Sequence, residues 1–348
     1  MGAVVLLLNA GGWGAFLLAN ANRATAGLSL GIAVTAFVLG MRHAFDGDHI
    51  AAIDNTTRKL IDEGRDGSST GFWFALGHSS VVLGAVLLLL AGFQAFAAQL
   101  SDGNSPLRSA ASSWGGVVSG LFLLLVGFVN LGSLVGICRS IGPSKAGTAD
   151  EVLLASLLQR RGLLNRMLWP IARRINHPRM MFPVGLLFGL GLDTAATIGL
   201  FVITGRTLFA DRPFFALVLP VLFAAGMTLF DSLDGVLMSR AYRWAFARPV
   251  GKVYYNVVVT SISVVVAFLV AMVCLSGTLV DGLNLDSGPV VWIASIGLQD
   301  VGFIIVGTFL VAWLAAIAVW KIRGRNAFPS PVAPQNRREN PHASDPVG

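Results

Sequence analysis

Charge is what this 348-residue chain has least of. Asp, Glu, Lys and Arg make up 12% of it and hydrophobic residues 55%, against about 25% charged in average soluble proteins. With a mean hydropathy of +0.72, a soluble globular domain is excluded and a polytopic membrane protein is indicated. Cysteine is nearly missing: Cys138 and Cys274 are the only two, too few for a disulfide framework. They fall at opposite predicted faces of the membrane and read as packing residues. The N-terminus has neither a basic segment nor a small-residue cleavage site, so no cleaved signal peptide is expected. No Gly-rich nucleotide-binding loop is visible, which argues against direct use of ATP. Short alternating segments of the β-barrel kind are also missing. The apolar runs are about 20 residues long, the length of a membrane-spanning helix.

Eight such runs are present, near 4–18, 28–53, 71–93, 114–134, 182–203, 214–238, 254–276 and 301–320. The expected fold class is therefore all-α, a polytopic membrane helix bundle of about eight transmembrane helices. Lys and Arg in the connections set its orientation. The connections after runs two, four and six, with the tail, hold twenty of them, and the other connections hold only Arg23, Arg108, Arg206 and Arg212. Both termini are thus expected in the cytoplasm. The net charge of +7 follows from this topology and does not imply a nucleic-acid partner. The chain divides into 1–138 with four runs, a basic cytoplasmic loop at 139–181, 182–325 with four more, and a tail at 326–348. In the loop, Thr148-Ala149-Asp150-Glu151 has the capping-box pattern before a Leu-rich run with Arg160, Arg161 and Arg166. A basic amphipathic helix on the inner leaflet is expected there. The polar, Pro-rich tail is expected to be disordered.

Against this apolar background the second run is anomalous. Arg42-His43-Ala44-Phe45-Asp46-Gly47-Asp48-His49-Ile50 puts two imidazoles and two carboxylates where each ionisable group costs roughly 2.5–3.5 kcal/mol. On a continuous helix His43, Asp46 and His49 share one side while Asp48 points elsewhere. Gly47 could loosen the helix, and unwound backbone at mid-membrane is one way to build an ion site. Helix-to-helix hydrogen bonding is the plainer reading, but it suits one polar residue better than four. His78, in Leu76-Gly77-His78-Ser79-Ser80, reads either as a satisfied bundle residue or as a ligand. Asp193 lies mid-run in the fifth run, after the small-xxx-small pair Gly185 and Gly189. Asp231 and Asp234 in the sixth run share a face at i,i+3. With the predicted directions, all four constellations converge on the midplane and the cytoplasmic half. Mg²⁺ and Ca²⁺ prefer all-oxygen sites, and Cu(I) prefers sulfur. Imidazole with carboxylate suits Ni²⁺, Co²⁺ or Zn²⁺, and spacing alone does not choose among them.

These motifs resemble those of the nickel/cobalt transporter (NiCoT) family. The His43-x4-Asp48-His49 pattern is similar to its signature. Leu76-Gly77-His78-Ser79-Ser80, Leu190-Gly191-Leu192-Asp193-Thr194 and Gly226-Met227-Thr228-Leu229-Phe230-Asp231-Ser232-Leu233-Asp234-Gly235 resemble its other motifs, in the same order. The resemblance implies an eight-span permease of the cytoplasmic membrane that takes up Ni²⁺ or Co²⁺ as substrate and has no cofactor. It also implies His43, Asp48 and His49 as the residues most needed. The chain departs from the family pattern at Leu192, Ala196 and Thr197, where the family has Phe, Thr and Glu. The Thr197 change removes an acidic group from the expected pathway and bears on metal preference. Gly47 stands where Ala is more usual.

The candidate metal residues are therefore His43, Asp46, Asp48, His49, His78, Asp193, Asp231 and Asp234. The expected partners are a divalent transition-metal ion and the lipid bilayer, and no oligomeric state is indicated. Three other readings stand beside uptake. A membrane acyltransferase would use His43 as a general base oriented by Asp48. An exporter of the same metals is disfavoured by a long loop holding only His177. A purely structural membrane subunit would tolerate Asn and Gln in the polar clusters.

Overall fold

The computed structural model describes residues 1–21, 29–90, 106–141, 175–191, 217–246 and 252–324. Among them all regular structure is helical: α1 (Gly2–Ala21), α2 (Leu30–Ala44), α3 (Gly47–Asp62), α4 (Thr70–Leu90), α5 (Pro106–Ile141), α6 (Met181–Gly189), α7 (Val218–Phe246), α8 (Lys252–Leu283), α9 (Pro289–Ala294) and α10 (Leu298–Gly324). This is the expected helical membrane bundle. Within it, five helices are long and apolar enough to cross a membrane, and they match the first, third, fourth, sixth and seventh runs. The amphipathic loop helix, the tail, and the fifth run beyond Gly191 lie outside the described residues.

The second run is not one helix. Ser29 caps α2 by accepting from the Ile32 N–H at 3.3 Å, and α2 ends at Ala44. Asp46 then takes an extended conformation (φ −64°, ψ 140°) and α3 restarts at Gly47. The break is packed, not loose. A Cβ on Gly47 would lie 3.1 Å from the Leu298 carbonyl, and one on Gly302 would meet the Phe45 carbonyl. The start of α10 thus closes directly on the interruption.

Beyond the break, α3 becomes the axis of the bundle. Thirteen of its sixteen residues are buried, polar ones included, and it touches α4, α5, α7, α8 and α10. A polar helix so enclosed must spend its polar groups on protein partners. Asn55 accepts from Asn130 at 2.7 Å, and the Lys59 ammonium donates to the Ile175 carbonyl at 2.7 Å and pairs with Glu63 at 3.0 Å. On either side lie two apolar clusters. One joins α1, α2, α4 and α7 around Leu222 and Phe223. The other joins α3, α4, α5, α6, α8 and α10 around Ile53, Phe74 and Val270. Cys274 is buried in the second, as a packing residue should be, whereas Cys138 is exposed. The packing reading therefore fails for Cys138.

Two helix crossings share one device. A Cβ on Gly40 would strike the Phe223 carbonyl, and one on Gly226 the Phe37 carbonyl. Likewise Gly77 faces the Phe182 carbonyl and Gly185 the Phe74 carbonyl. Phe37-x-x-Gly40 thus crosses Phe223-x-x-Gly226 reciprocally, and Phe74-x-x-Gly77 crosses Phe182-x-x-Gly185. Glycine at each point lets the two backbones approach closely.

The bundle has two distinct ends. One gathers the α3–α4 connection, residues 175–181 and the end of α7. There Arg65 donates to the Asn176 carbonyl and Arg243 pairs with Asp66. Partial burial pushes the Asp66 carboxyl up, but Ser68 and the Arg243 guanidinium outweigh it and hold Asp66 below the usual range. The other end carries the end of α8, α9 and the start of α10.

Candidate metal-transport site

The α2–α3 break sets His43 and His49 facing each other from separate helices. Their ring centroids are 4.8 Å apart. His78, from α4, completes a triangle at 5.0 Å from His43 and 4.9 Å from His49. One ligand atom from each of the three rings lies within 4.8 Å of the others. His43 Nε2 and His78 Nε2 are 3.2 Å apart. Two nitrogens about 2.0–2.1 Å from a shared ion stand about 2.8–3.4 Å apart at right-angle or tetrahedral geometry. The spacing therefore fits a transition-metal ion with little rearrangement, and it equally accommodates an N–H···N hydrogen bond.

Carboxylates back two of the rings. Asp46 Oδ2 is 3.0 Å from His43 Nδ1, and Asp231 Oδ2, on α7, is 3.4 Å from His49 Nδ1. A carboxylate bonded at Nδ1 fixes the tautomer, turns Nε2 toward a metal and raises its basicity; Asp46 is so placed at His43, whereas Asp231 stands beside His49 at ion-pair distance without a hydrogen bond to it. Both Asp46 Oδ1 and Asp231 Oδ1 are buried without a hydrogen-bond partner among the described residues. These are acceptors with no proton donor, a deficit that a cation makes good. Phe74 meets His49 edge-on at 4.8 Å and Phe223 lies 5.7 Å from His43. These rings wall the triangle with apolar surface and lower the local dielectric.

The triangle lies at the deep end of a cavity of about 750 Å³. His49 and His78 are buried there, while Asp281 and Asp300, also in its lining, are exposed at the α8–α10 end. Asp48 lines the same cavity. It accepts from the Ser119 hydroxyl of α5 at 3.1 Å and from the His49 N–H at 3.0 Å. The expectation that Asp48 points away from the other three is thus overturned. It assumed a continuous helix, and the break re-aims everything after residue 46.

Of the eight expected residues, His43, Asp46, Asp48, His49 and His78 share the cavity. Asp231 stands behind His49. Asp234 lies one turn further along α7, half-buried, with Oδ2 lacking a hydrogen-bond partner among the described residues. Asp193 lies outside the described residues. Sequence reasoning passed over Ser119 and a buried cluster further along α3: Asp54, Tyr242 and Ser263. The polar run Asp54-Asn55-Thr56-Thr57-Arg58 directly after Ile53 was the available signal.

The sequence pattern of a family described as high-affinity nickel-transport protein, NicO, matches residues 29–319. The chain belongs to this family. As a member of a transporter family it is a permease and not an enzyme. Nickel transporter NicT of Mycobacterium tuberculosis is 43% identical over 325 residues, covering 92% of this chain and 87% of NicT. Nickel transporter NixA of Staphylococcus aureus is 38% identical over 321 residues, covering 92% and 93%. Cobalt transport protein NhlF of Rhodococcus rhodochrous is 35% identical over 326 residues, covering 91% and 90%. No solved structure matches the chain. The four motifs, met in order along the sequence, thus led to the right family.

Proposed function

We propose that this NicO-family protein is a high-affinity uptake permease that moves Ni²⁺ or Co²⁺ across the cytoplasmic membrane into the cell. The observation that carries this reading is the triangle of His43, His49 and His78, with carboxylates behind two of the rings, at the deep end of a cavity. Nitrogen-rich donors with carboxylate support are the preference of Ni²⁺ and Co²⁺ over Mg²⁺ or Ca²⁺, and relatives on both sides of that pair carry nickel or cobalt in their names.

The excess of Lys and Arg in the connections at the α3–α4 end supports a cytoplasmic position for that end. The cavity then opens outward, with Asp281 and Asp300 at its mouth drawing in divalent cations. The ion sheds water as the imidazoles bind it, guided by Asp46 and Asp48. It leaves along the acidic side of α7, past Asp231 and Asp234. The membrane potential drives transport without ATP. An unaccompanied divalent ion gains about 2 × 2.3 kcal/mol per 100 mV, on the order of a thousandfold in accumulation.

The test is uptake of ⁶³Ni and ⁵⁷Co at nanomolar concentration, each metal competing against the other. His43→Ala and His49→Ala are expected to abolish uptake while the protein still inserts. Wild-type rates in both variants would rule the reading out.

A further inference from the structure

The cavity ends at the His43–His49–His78 triangle, so an ion bound there still has half the bundle to cross. We propose that Asp54 is the inner gate of the permease, held shut in this structure by Tyr242 and Ser263. The inference rests on the uptake reading, because it takes the α3–α4 end as the side of release.

Asp54 follows His49 by five residues on α3, about 7.5 Å along the helix axis. It is fully buried. One carboxylate oxygen accepts from the Tyr242 hydroxyl of α7, and the other accepts from Ser263 of α8 at 2.9 Å. Tyr242 and Ser263 are themselves 3.2 Å apart. The Arg58 guanidinium sits 5.9 Å from the centre of the Tyr242 ring. Three helices are therefore tied together through one carboxylate, and both of its oxygens are engaged.

Between the triangle and this clasp runs a seam of polar groups on α7. Thr228, Asp231, Ser232, Ser239 and Tyr242 fall within an arc of about 100° of the helix. The Thr228, Ser232 and Ser239 hydroxyls, both Asp231 oxygens and Asp234 Oδ2 are buried without a hydrogen-bond partner among the described residues. Asp234 lies within electrostatic range of both Asp231 and Asp54. Buried oxygens left this way are usually satisfied by water or an ion, and here Asp231, Ser232, Asp234 and Ser239 follow one another along α7 from the residue beside His49 to Tyr242, which binds Asp54. A route with its oxygens in place and its far end tied shut describes an outward-open permease.

The clasp also suits the cargo. Its donors are neutral hydroxyls, which release a carboxylate more readily than a guanidinium would. Once Tyr242 and Ser263 let go, Asp54 becomes an anionic oxygen ligand that draws the ion off the imidazoles toward the cytoplasm.

The experiment uses the full-length protein in liposomes. Tyr242→Phe and Ser263→Ala each delete one donor and keep the fold's apolar contacts. Together they are expected to speed the exit of preloaded ⁶³Ni about three- to tenfold and to leave the uptake KM within about twofold. Asp54→Asn is expected to lower maximal uptake at least tenfold, while Ni²⁺ binding to the purified protein stays within about twofold. Ser239→Cys, in a background with Cys138 and Cys274 replaced by Ser, reports opening. A membrane-impermeant thiol reagent on the cytoplasmic side should label it several-fold faster when Tyr242→Phe and Ser263→Ala are added. A merely structural Asp54 would alter stability but neither the labelling rate nor the split between KM and maximal rate. Wild-type uptake with Asp54→Asn turning over at the same rate would overturn the gate alone. A wild-type protein that neither binds nor takes up Ni²⁺ or Co²⁺ would overturn the uptake reading beneath it.

Discussion

Asp46 and Asp231 lie at the Nδ1 atoms of His43 and His49, which makes them orienting groups first. Removing such a partner commonly costs ten- to a hundredfold in metal affinity. Asp46→Ala and Asp231→Ala are therefore expected to raise the uptake KM about 10- to 100-fold, with less effect on the maximal rate. Asp46→Asn should fall between wild type and Ala, because its amide oxygen still accepts from His43 while the charge is gone. Kinetics of ⁶³Ni uptake at matched protein levels would check both. Protons compete with the metal for the same imidazole lone pairs, so uptake should also fall on acidification, and the pH profile should be an increase in KM. At this scale much was legible in the sequence. Ionisable residues in apolar runs are costly enough to mark themselves: five of the eight expected residues line the cavity, and Asp231 stands behind His49. What could not be read was which way each one faces. Asp48 was placed on the wrong side because helical periodicity holds only while the helix does.

The element that carries the site is the interrupted pair α2–α3. The interruption needs Gly302, whose Cβ would strike the Phe45 carbonyl, and Gly47 lies close against the Leu298 carbonyl, because the start of α10 packs against the backbone there. The sequence shows Gly47 but not what closes on it from 250 residues away, so a loosened helix was legible and a packed break was not. The reciprocal Phe-x-x-Gly crossings hold the same pieces in register. Gly40 precedes His43 by one turn, Gly77 adjoins His78, and Gly226 precedes Asp231. An added methyl at Gly40 or Gly226 meets a carbonyl of the partner helix, so relief requires moving backbone. Overpacking of this kind costs about 1–3 kcal/mol or more. Gly40→Ala and Gly226→Ala should therefore lower the melting temperature in detergent and reduce Ni²⁺ affinity together. Gly84→Ala, where nothing lies within 4 Å of the added Cβ, should change neither. Equal behaviour of all three variants would mean that the crossings do not position the site.

At the scale of the whole molecule, the arrangement of charge along the bundle bears on what drives the proposed uptake. The bundle is asymmetric along its length: a cavity reaches the triangle from the α8–α10 end, and toward the α3–α4 end Arg243 pairs with Asp66 and Asp54 is held by Tyr242 and Ser263. On the proposed topology, with Lys and Arg concentrated at the α3–α4 end, that end is the cytoplasmic side. Arg58 and Lys59 are buried and engaged by Tyr242, the Ile175 carbonyl and Glu63. A doubly charged ion moving alone feels about 4.6 kcal/mol per 100 mV, so accumulation should change tenfold for roughly each 30 mV. In liposomes clamped with potassium and valinomycin, the inside-to-outside ratio of ⁶³Ni at steady state should follow that slope and fall to unity at zero potential. Exchange of one M²⁺ for two protons would move no net charge. The ratio would then ignore the clamp and follow an imposed pH gradient, and that result would replace potential-driven uptake with proton antiport.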